Sequence, residues 1–145
     1  MTIASICQRR VDTALPTEIV QTAAQRMATR CVGTLVVVDV HDRPIGMLTD
    51  RDLALRVVGA GDHPRGITVA DVMTGHVEVV REDASIETAL ARMRQEAVRR
   101  LPVVDADGRM VGIVSLEDVL ALLAREMAAV GEFLQRTSPT RLAAE

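Results

Sequence analysis

A chain of 145 residues with 48% apolar content can bury one core, or two small cores packed together. The net charge of −3 offers no basic footprint for nucleic acid, and Phe133, the lone aromatic residue, leaves single-stranded bases nothing to stack on. No apolar run reaches membrane-spanning length and Met1 to Ser5 is not a charged leader, so a cytoplasmic protein without membrane or nucleic-acid partners is expected.

Ile3 to Cys7 reads as a short lead-in and Arg10 to Thr13 as an extended piece. Thr17 is a candidate helix cap, followed by Val20, Ala23, Ala24 and Met27 at i, i+3, i+4, i+7. The β-branched run Leu35 to Asp39 predicts a strand, His41 to Arg43 a turn, and Ile45 to Leu48 the return strand. A helix begins at Thr49 and carries Leu53, Leu55, Val57 and Val58. Gly59 to Gly66, rich in helix breakers, is a linker.

Val69 to Met73 then leads in again. Asp83 is the candidate cap before Ile86, Ala89, Leu90 and Met93. Leu101 to Asp105 is a strand, Asp107-Gly108 a hairpin pair, and Val111 to Val114 the return. The closing helix starts at Ser115 with Val119, Leu120, Leu122 and Leu123. Its apolar spacing continues through Met127, Val130 and Leu134, which predicts a helix to about Arg136 and a polar tail over Thr137 to Glu145.

The second half of this pattern copies the first. Shifted by 66 residues, Val20 to Asp52 falls on Ile86 to Asp118 without a gap, and twelve of the 33 positions are identical. Polar identities such as Arg26/Arg92, Asp39/Asp105 and Asp52/Asp118 rule out shared apolar composition as the cause. A unit this short cannot bury its own apolar face and must pack on its copy. The expected architecture is α+β: two β-α-β-β-α repeats, sheet to sheet about a pseudo-twofold axis, with clefts where the copies meet. The boundaries read 1–60 for the first repeat, 61–68 for the linker, 69–125 for the second repeat, and 126–145 for the helix extension and tail.

Two features could carry chemistry. Gly46-Met-Leu-Thr49-Asp-Arg-Asp52 recurs as Gly112-Ile-Val-Ser115-Leu-Glu-Asp118. A glycine-bearing strand there enters a helix whose start suits an anion, and a carboxylate one turn on can accept hydrogen bonds from a vicinal diol. Ser/Thr-x-x-Asp is equally a capping box that ties off a helix, and both readings hold together. Arg99 and Arg100 enter a buried strand; one of them is suited to phosphate in the inter-repeat cleft, the alternatives being surface solvation or an ion pair with a helix carboxylate. Gly33-Thr34 stands there in the first copy, so the clefts are not equivalent.

These motifs, with Leu101-Pro-Val-Val-Asp105 and Val69-Ala-Asp-Val-Met-Thr74, resemble a cystathionine-β-synthase (CBS) domain, and the duplication resembles the paired CBS or Bateman module. The resemblance covers Ile3 to Arg125. It implies a regulatory module that binds an adenosyl ligand (AMP, ADP, ATP, S-adenosylmethionine or NAD) between the repeats and signals to a separate, unknown effector protein. It implies ribose contacts by Asp52 and Asp118, phosphate contacts by Thr49, Ser115 and Arg100, and further contacts by Thr13, with Thr34 facing Arg100 in the repeat. Adenine would sit among Val11, Met47, Val77 and Ile113. No obligatory cofactor is implied.

The competing reading is a ligand-free dimeric scaffold. An enzyme is disfavoured, since His41, His63 and His76 lie in loops without HExxH or CxxC spacing, and no metal site is expected. Cys7 and Cys31 read as buried, inert thiols, or else as a redox-sensitive pair. Ala23, Ala24, Ala89, Leu90, Leu122, Leu123 and Met127 are more apolar surface than a small sheet needs, which predicts a homodimer through the helices.

Overall fold

The computed structural model describes residues 1–138, so all but the first two residues of the predicted tail lie outside the described residues. The first copy comprises β1 (Thr13–Ala14), α1 (Val20–Arg30), β2 (Thr34–Val38), β3 (Pro44–Thr49) and α2 (Asp50–Leu53), which continues as a π-helical turn over Ala54–Val58. A short helix, α3 (Val69–Val72), precedes β4 (Val80–Arg81), α4 (Ile86–Glu96), β5 (Arg100–Val104), β6 (Met110–Ser115) and α5 (Leu116–Thr137). Two three-stranded sheets result, ordered β1-β2-β3 and β4-β5-β6, each with one parallel and one antiparallel pairing.

Strand alternation places a core on both faces of each sheet. Leu35, Val37 and Leu48 join Val20, Ala23 and Met27 in one helix-side core; Leu101, Val103 and Val114 join Ala89 and Met93 in the other. Val36 and Pro102, mates under the 66-residue offset, are also fully buried, yet belong to neither helix-side core. They point from the opposite faces, where the sheets meet, as the duplicated pattern requires.

The polar identities of the repeat have structural causes. Arg26 and Arg92 each donate a 2.7 Å hydrogen bond at equivalent places, to the Thr13 carbonyl in β1 and to the Val79 carbonyl just before β4. Asp39 accepts from the amides of His41 and Arg43, and Asp105 from those of Asp107 and Arg109, so each carboxylate holds its hairpin turn. Arg26 also binds Glu18, which accepts from the Leu15 amide at 2.8 Å. The Arg26 hydrogen bond holds the Glu18 carboxyl below its ordinary range despite partial burial. A depressed native value means stability present above the unfolded value of about 4.3 and lost as pH falls through the native one. Glu18→Gln is therefore expected to cost about 1–2 kcal/mol near neutral pH, and the gap to wild type should close in acid. Denaturant unfolding of both proteins between neutral and acidic pH checks this.

The lead-ins depart from the simple repeat. Ile3, in a 3-10 turn over Ile3–Ser5, is buried in the core of the second copy, while Val69 and Val72 of α3 are buried in the core of the first. Gln8 pairs with Ile113 beside β6, and Thr74 pairs with Met47 beside β3. Each copy thus lends its opening segment to the other. Glycine makes the approach possible: a Cβ at Gly46 would stand 2.7 Å from the Thr74 carbonyl oxygen, and one at Gly112 2.7 Å from that of Gln8.

The same crossing corrects the predicted caps. Thr17 does not cap α1. The cap residue is Ile19, and the first free amides, Val20 and Gln21, donate to the Ile67 and Pro64 carbonyls of the returning linker. At α4 the cap is Ser85, which accepts from the Thr88 amide, while Asp83 is paired with Arg81. The first extended piece narrows to Thr13–Ala14.

Three other expectations change. Cys31 is exposed in a left-handed conformation that ends α1, and Cys7 is half-buried, so neither is a fully buried thiol. Both are free, and burial pushes the Cys7 thiol up. Ala23, Ala89 and Leu122 are buried under the helices and do not form an exterior face, whereas Leu123 and Met127 are exposed. Finally, α2 and α5 start alike but bury different spacings: Val119 and Leu122 in α5, but Val57 four residues after Leu53 in the first copy, where the π turn inserts one residue.

Candidate functional site

The clefts between the copies are related by the 66-residue offset. One, of about 780 Å³, is walled by Val11, Thr34, Ile113, Ser115 and Asp118, with Gln8 at its edge. The other, of about 670 Å³, is walled by Met47, Thr49, Asp52, Val77, Val98 and Arg100. Each cleft combines the Ser/Thr-x-x-Asp motif of one copy with the lead-in of the other and that copy's corner between helix and strand. Thr34, Thr49, Arg51 and Arg100 border both, so the clefts meet at the pseudo-twofold axis. Either volume suits a small-molecule site.

Both motifs form complete capping boxes. The Thr49 amide donates to Asp52 Oδ2 at 2.9 Å and the Asp52 amide to Thr49 Oγ1 at 3.1 Å. The Ser115 amide donates to Asp118 Oδ2 at 2.8 Å and the Asp118 amide to Ser115 Oγ at 3.2 Å. The glycine-to-helix step in the sequence is therefore a cap in both copies, and one carboxylate oxygen per motif remains.

That remaining oxygen distinguishes the clefts. Asp118 Oδ1 accepts from Gln8 Nε2 at 3.0 Å, a contact supplied by the exchanged lead-in. Asp52 Oδ1 is ion-paired with Arg56 Nε at 3.8 Å and, among the described residues, accepts no hydrogen bond. Asp118 Oδ1 thus already has a hydrogen-bond donor, while Asp52 Oδ1 has none among the described residues. No signal within the repeat shows this, because Gln8 lies 110 residues from Asp118.

The two arginines also separate. Arg99 is paired with Glu117, which is the ion pair with a helix carboxylate among its readings. Arg100 lines both clefts and, among the described residues, its guanidinium has no hydrogen bond or ion pair; the same holds for Arg51. Arg51 was not singled out in the sequence, although its place in the duplicated motif could have marked it. Thr13 is brought to neither cleft. It borders a separate recess with Glu18 and Arg26, and its cleft-side neighbours are Val11 and Asp12. The four aliphatics divide as the offset dictates, Val11 and Ile113 in one cleft, Met47 and Val77 in the other.

Of the histidines, His63 Nδ1 accepts from the Arg65 amide and His76 shares a hydrogen bond with Glu78. Among the described residues no three His, Cys, Asp or Glu side chains are grouped to hold a metal, and no helix is long and apolar enough to cross a membrane.

The model of one protein family, the CBS domain, matches residues 3–59 and again residues 69–125. The chain belongs to the CBS domain family. As a CBS pair it is 33% identical over 136 residues to an uncharacterised protein of Methanopyrus kandleri, a match covering 94% of this chain and 69% of that protein. Hypoxic Response Protein I, solved with two coordinated zinc ions, shares 33% identity at a TM-score of 0.75 over 83% of this chain and 98% of its own. The CBS domain pair of protein MJ0100, solved with 5-methylthioadenosine and S-adenosyl-L-methionine, shares 26% identity at a TM-score of 0.74 over 85% of this chain and 99% of its own.

Proposed function

We propose that this CBS pair is a regulatory module, not an enzyme, that binds an adenosyl ligand in the cleft closed by Asp52. Occupancy of the cleft alters the relation of the two copies and is read by a separate effector protein. The observation that carries this reading is Asp52 Oδ1, without a hydrogen-bond donor among the described residues, in a cleft that also holds the unpaired Arg100. A carboxylate oxygen accepts from ribose hydroxyls, and a free guanidinium takes phosphate oxygens in a bidentate contact. Met47, Val77 and Val98 supply an aliphatic wall for the base. The adenosyl ligands of the MJ0100 pair support the same class of ligand.

Because Arg100 and Arg51 stand where the clefts meet, phosphate adds to an affinity that adenosine already has. Calorimetric titration is expected to give AMP and ATP tighter binding than adenosine, and Arg100→Ala should remove most of that difference. Equal affinity for all three in wild type would refute the phosphate role. S-adenosylmethionine, which lacks phosphate, should respond little to Arg100→Ala.

The second reading, a ligand-free scaffold, is favoured by the two capping boxes being complete in the protein alone. It predicts no heat with any adenine compound at millimolar concentration.

A further inference from the structure

The Asp118 cleft differs from its mate in charge as well as in Gln8. Arg10, Arg51 and Arg100 line it, and among the described residues none of these guanidiniums has a hydrogen bond or an ion pair. Arg51 and Arg100 border both clefts, whereas Arg10 borders this one alone. Under the 66-residue offset the mate of Arg10 is His76, which lines the Asp52 cleft and is tied to Glu78 at 3.1 Å.

The carboxylates around these arginines are engaged elsewhere. Asp12 is paired with Arg30 at 2.9 Å, and Glu117 with Arg99. Asp50 Oδ1 accepts from the Arg51 amide at 2.8 Å, and Asp50 Oδ2 lies against Gly33, 2.9 Å from where a Cβ would stand. Asp118 gives one oxygen to its capping box and the other to Gln8. Each acid of the cleft wall thus has a partner, and the arginines have none.

Exposed like charges on one concave wall hold a positive potential that draws a counter-ion. A nucleoside matches this wall poorly, since the carboxylate that would take its diol is already used. A chain of linked phosphates needs no diol acceptor. It offers anionic oxygens to several guanidiniums at once, each in a charge-assisted contact.

We infer that the Asp118 cleft is an oligophosphate site, which takes a chain of two or more phosphates on Arg10, Arg51 and Arg100 and not a second nucleoside. The chain comes free, or as the tail of a nucleoside polyphosphate whose ribose lies at Asp52, because Arg51 and Arg100 stand where the clefts meet. The site itself does not rest on the adenosyl reading of the Asp52 cleft, so either can fail alone.

Calorimetric titration of the full chain with inorganic triphosphate, in magnesium-free buffer and without nucleotide, tests the site. One triphosphate per chain is expected, bound about tenfold or more tightly than orthophosphate. Arg10→Ala should weaken triphosphate by about tenfold or more and AMP far less, because Arg10 borders only this cleft. Arg10 is exposed and unpaired, so the fold should survive its loss, as circular dichroism would show. Arg94→Ala, on α4 and away from both clefts, removes the same charge and should leave triphosphate affinity unchanged. ATP then separates the two sources. If Arg10→Ala weakens ATP as well, the chain arrives as a nucleotide tail; if ATP is unmoved, the site takes a free chain. No heat with triphosphate overturns the inference. So does an equal loss in Arg94→Ala, or an Arg10→Ala protein that binds triphosphate as wild type does. Two AMP bound per wild-type chain with like affinity would also overturn it, making the Asp118 cleft a second nucleoside site.

Discussion

Asp52→Ala is expected to lower affinity for AMP about ten- to a hundredfold, the loss of charge-assisted hydrogen bonds contributing about 1.5–3 kcal/mol. The 2′-deoxy analogue should lose less, since one ribose partner is already missing. Asp118→Ala should change AMP affinity far less, because both of its carboxylate oxygens are engaged within the protein, by Ser115 and by Gln8. Each substitution also opens a capping box at a cost of about 1 kcal/mol, so melts must accompany the titrations. Gln8→Ala releases Asp118 Oδ1 and is expected to raise AMP bound per chain from one toward two. If Asp118→Ala weakens AMP and Asp52→Ala does not, the ligand occupies the other cleft. If neither matters in a folded protein, the motifs are caps alone.

The largest expected loss of stability is at Gly112. Its Cβ would stand 2.7 Å from the Gln8 carbonyl oxygen and 3.2 Å from Cys7 Sγ, within a backbone pairing whose two hydrogen bonds are 2.8 and 2.9 Å. Backbone cannot yield as a side-chain tip can, so Gly112→Val must push the lead-in off β6 or distort the strand. The expected cost is about 2–4 kcal/mol, read by chemical denaturation. The displaced segment carries Ile3 in the core of the second copy and Gln8 against Asp118. Loss of stability should therefore come with a change in the Asp118 cleft. A Gly112→Val protein as stable as wild type would mean that the exchanged lead-in contributes little to the fold.

Much of this protein was legible in its sequence because the determining signals are local. Apolar spacing of 3.6 placed α1 and α4, and β-branched runs placed β2 and β5. The gapless offset placed two equivalent units face to face. Thr49-x-x-Asp52 and Ser115-x-x-Asp118 fix their helix starts through contacts three residues apart, so the capping boxes formed as the spacing implied. The overrun of α5 was also visible as a period that continues after its repeat ends.

What tertiary structure decided depends on contacts between segments far apart in the chain, which no local pattern encodes. Ile3 to Cys7 precedes the first copy in sequence but packs on the second, where Gly112 leaves room for the Gln8 backbone. The linker carbonyls of Pro64 and Ile67 reach the start of α1 before any side chain does, which is why Thr17 is not its cap. The non-equivalence of the clefts was expected from Arg100 opposite Thr34. In the structure Arg100 and Thr34 border both clefts, and the difference lies instead in the Gln8 amide, which reaches Asp118 from across the molecule. A repeat specifies two similar clefts; the segments that cross between its copies make them differ.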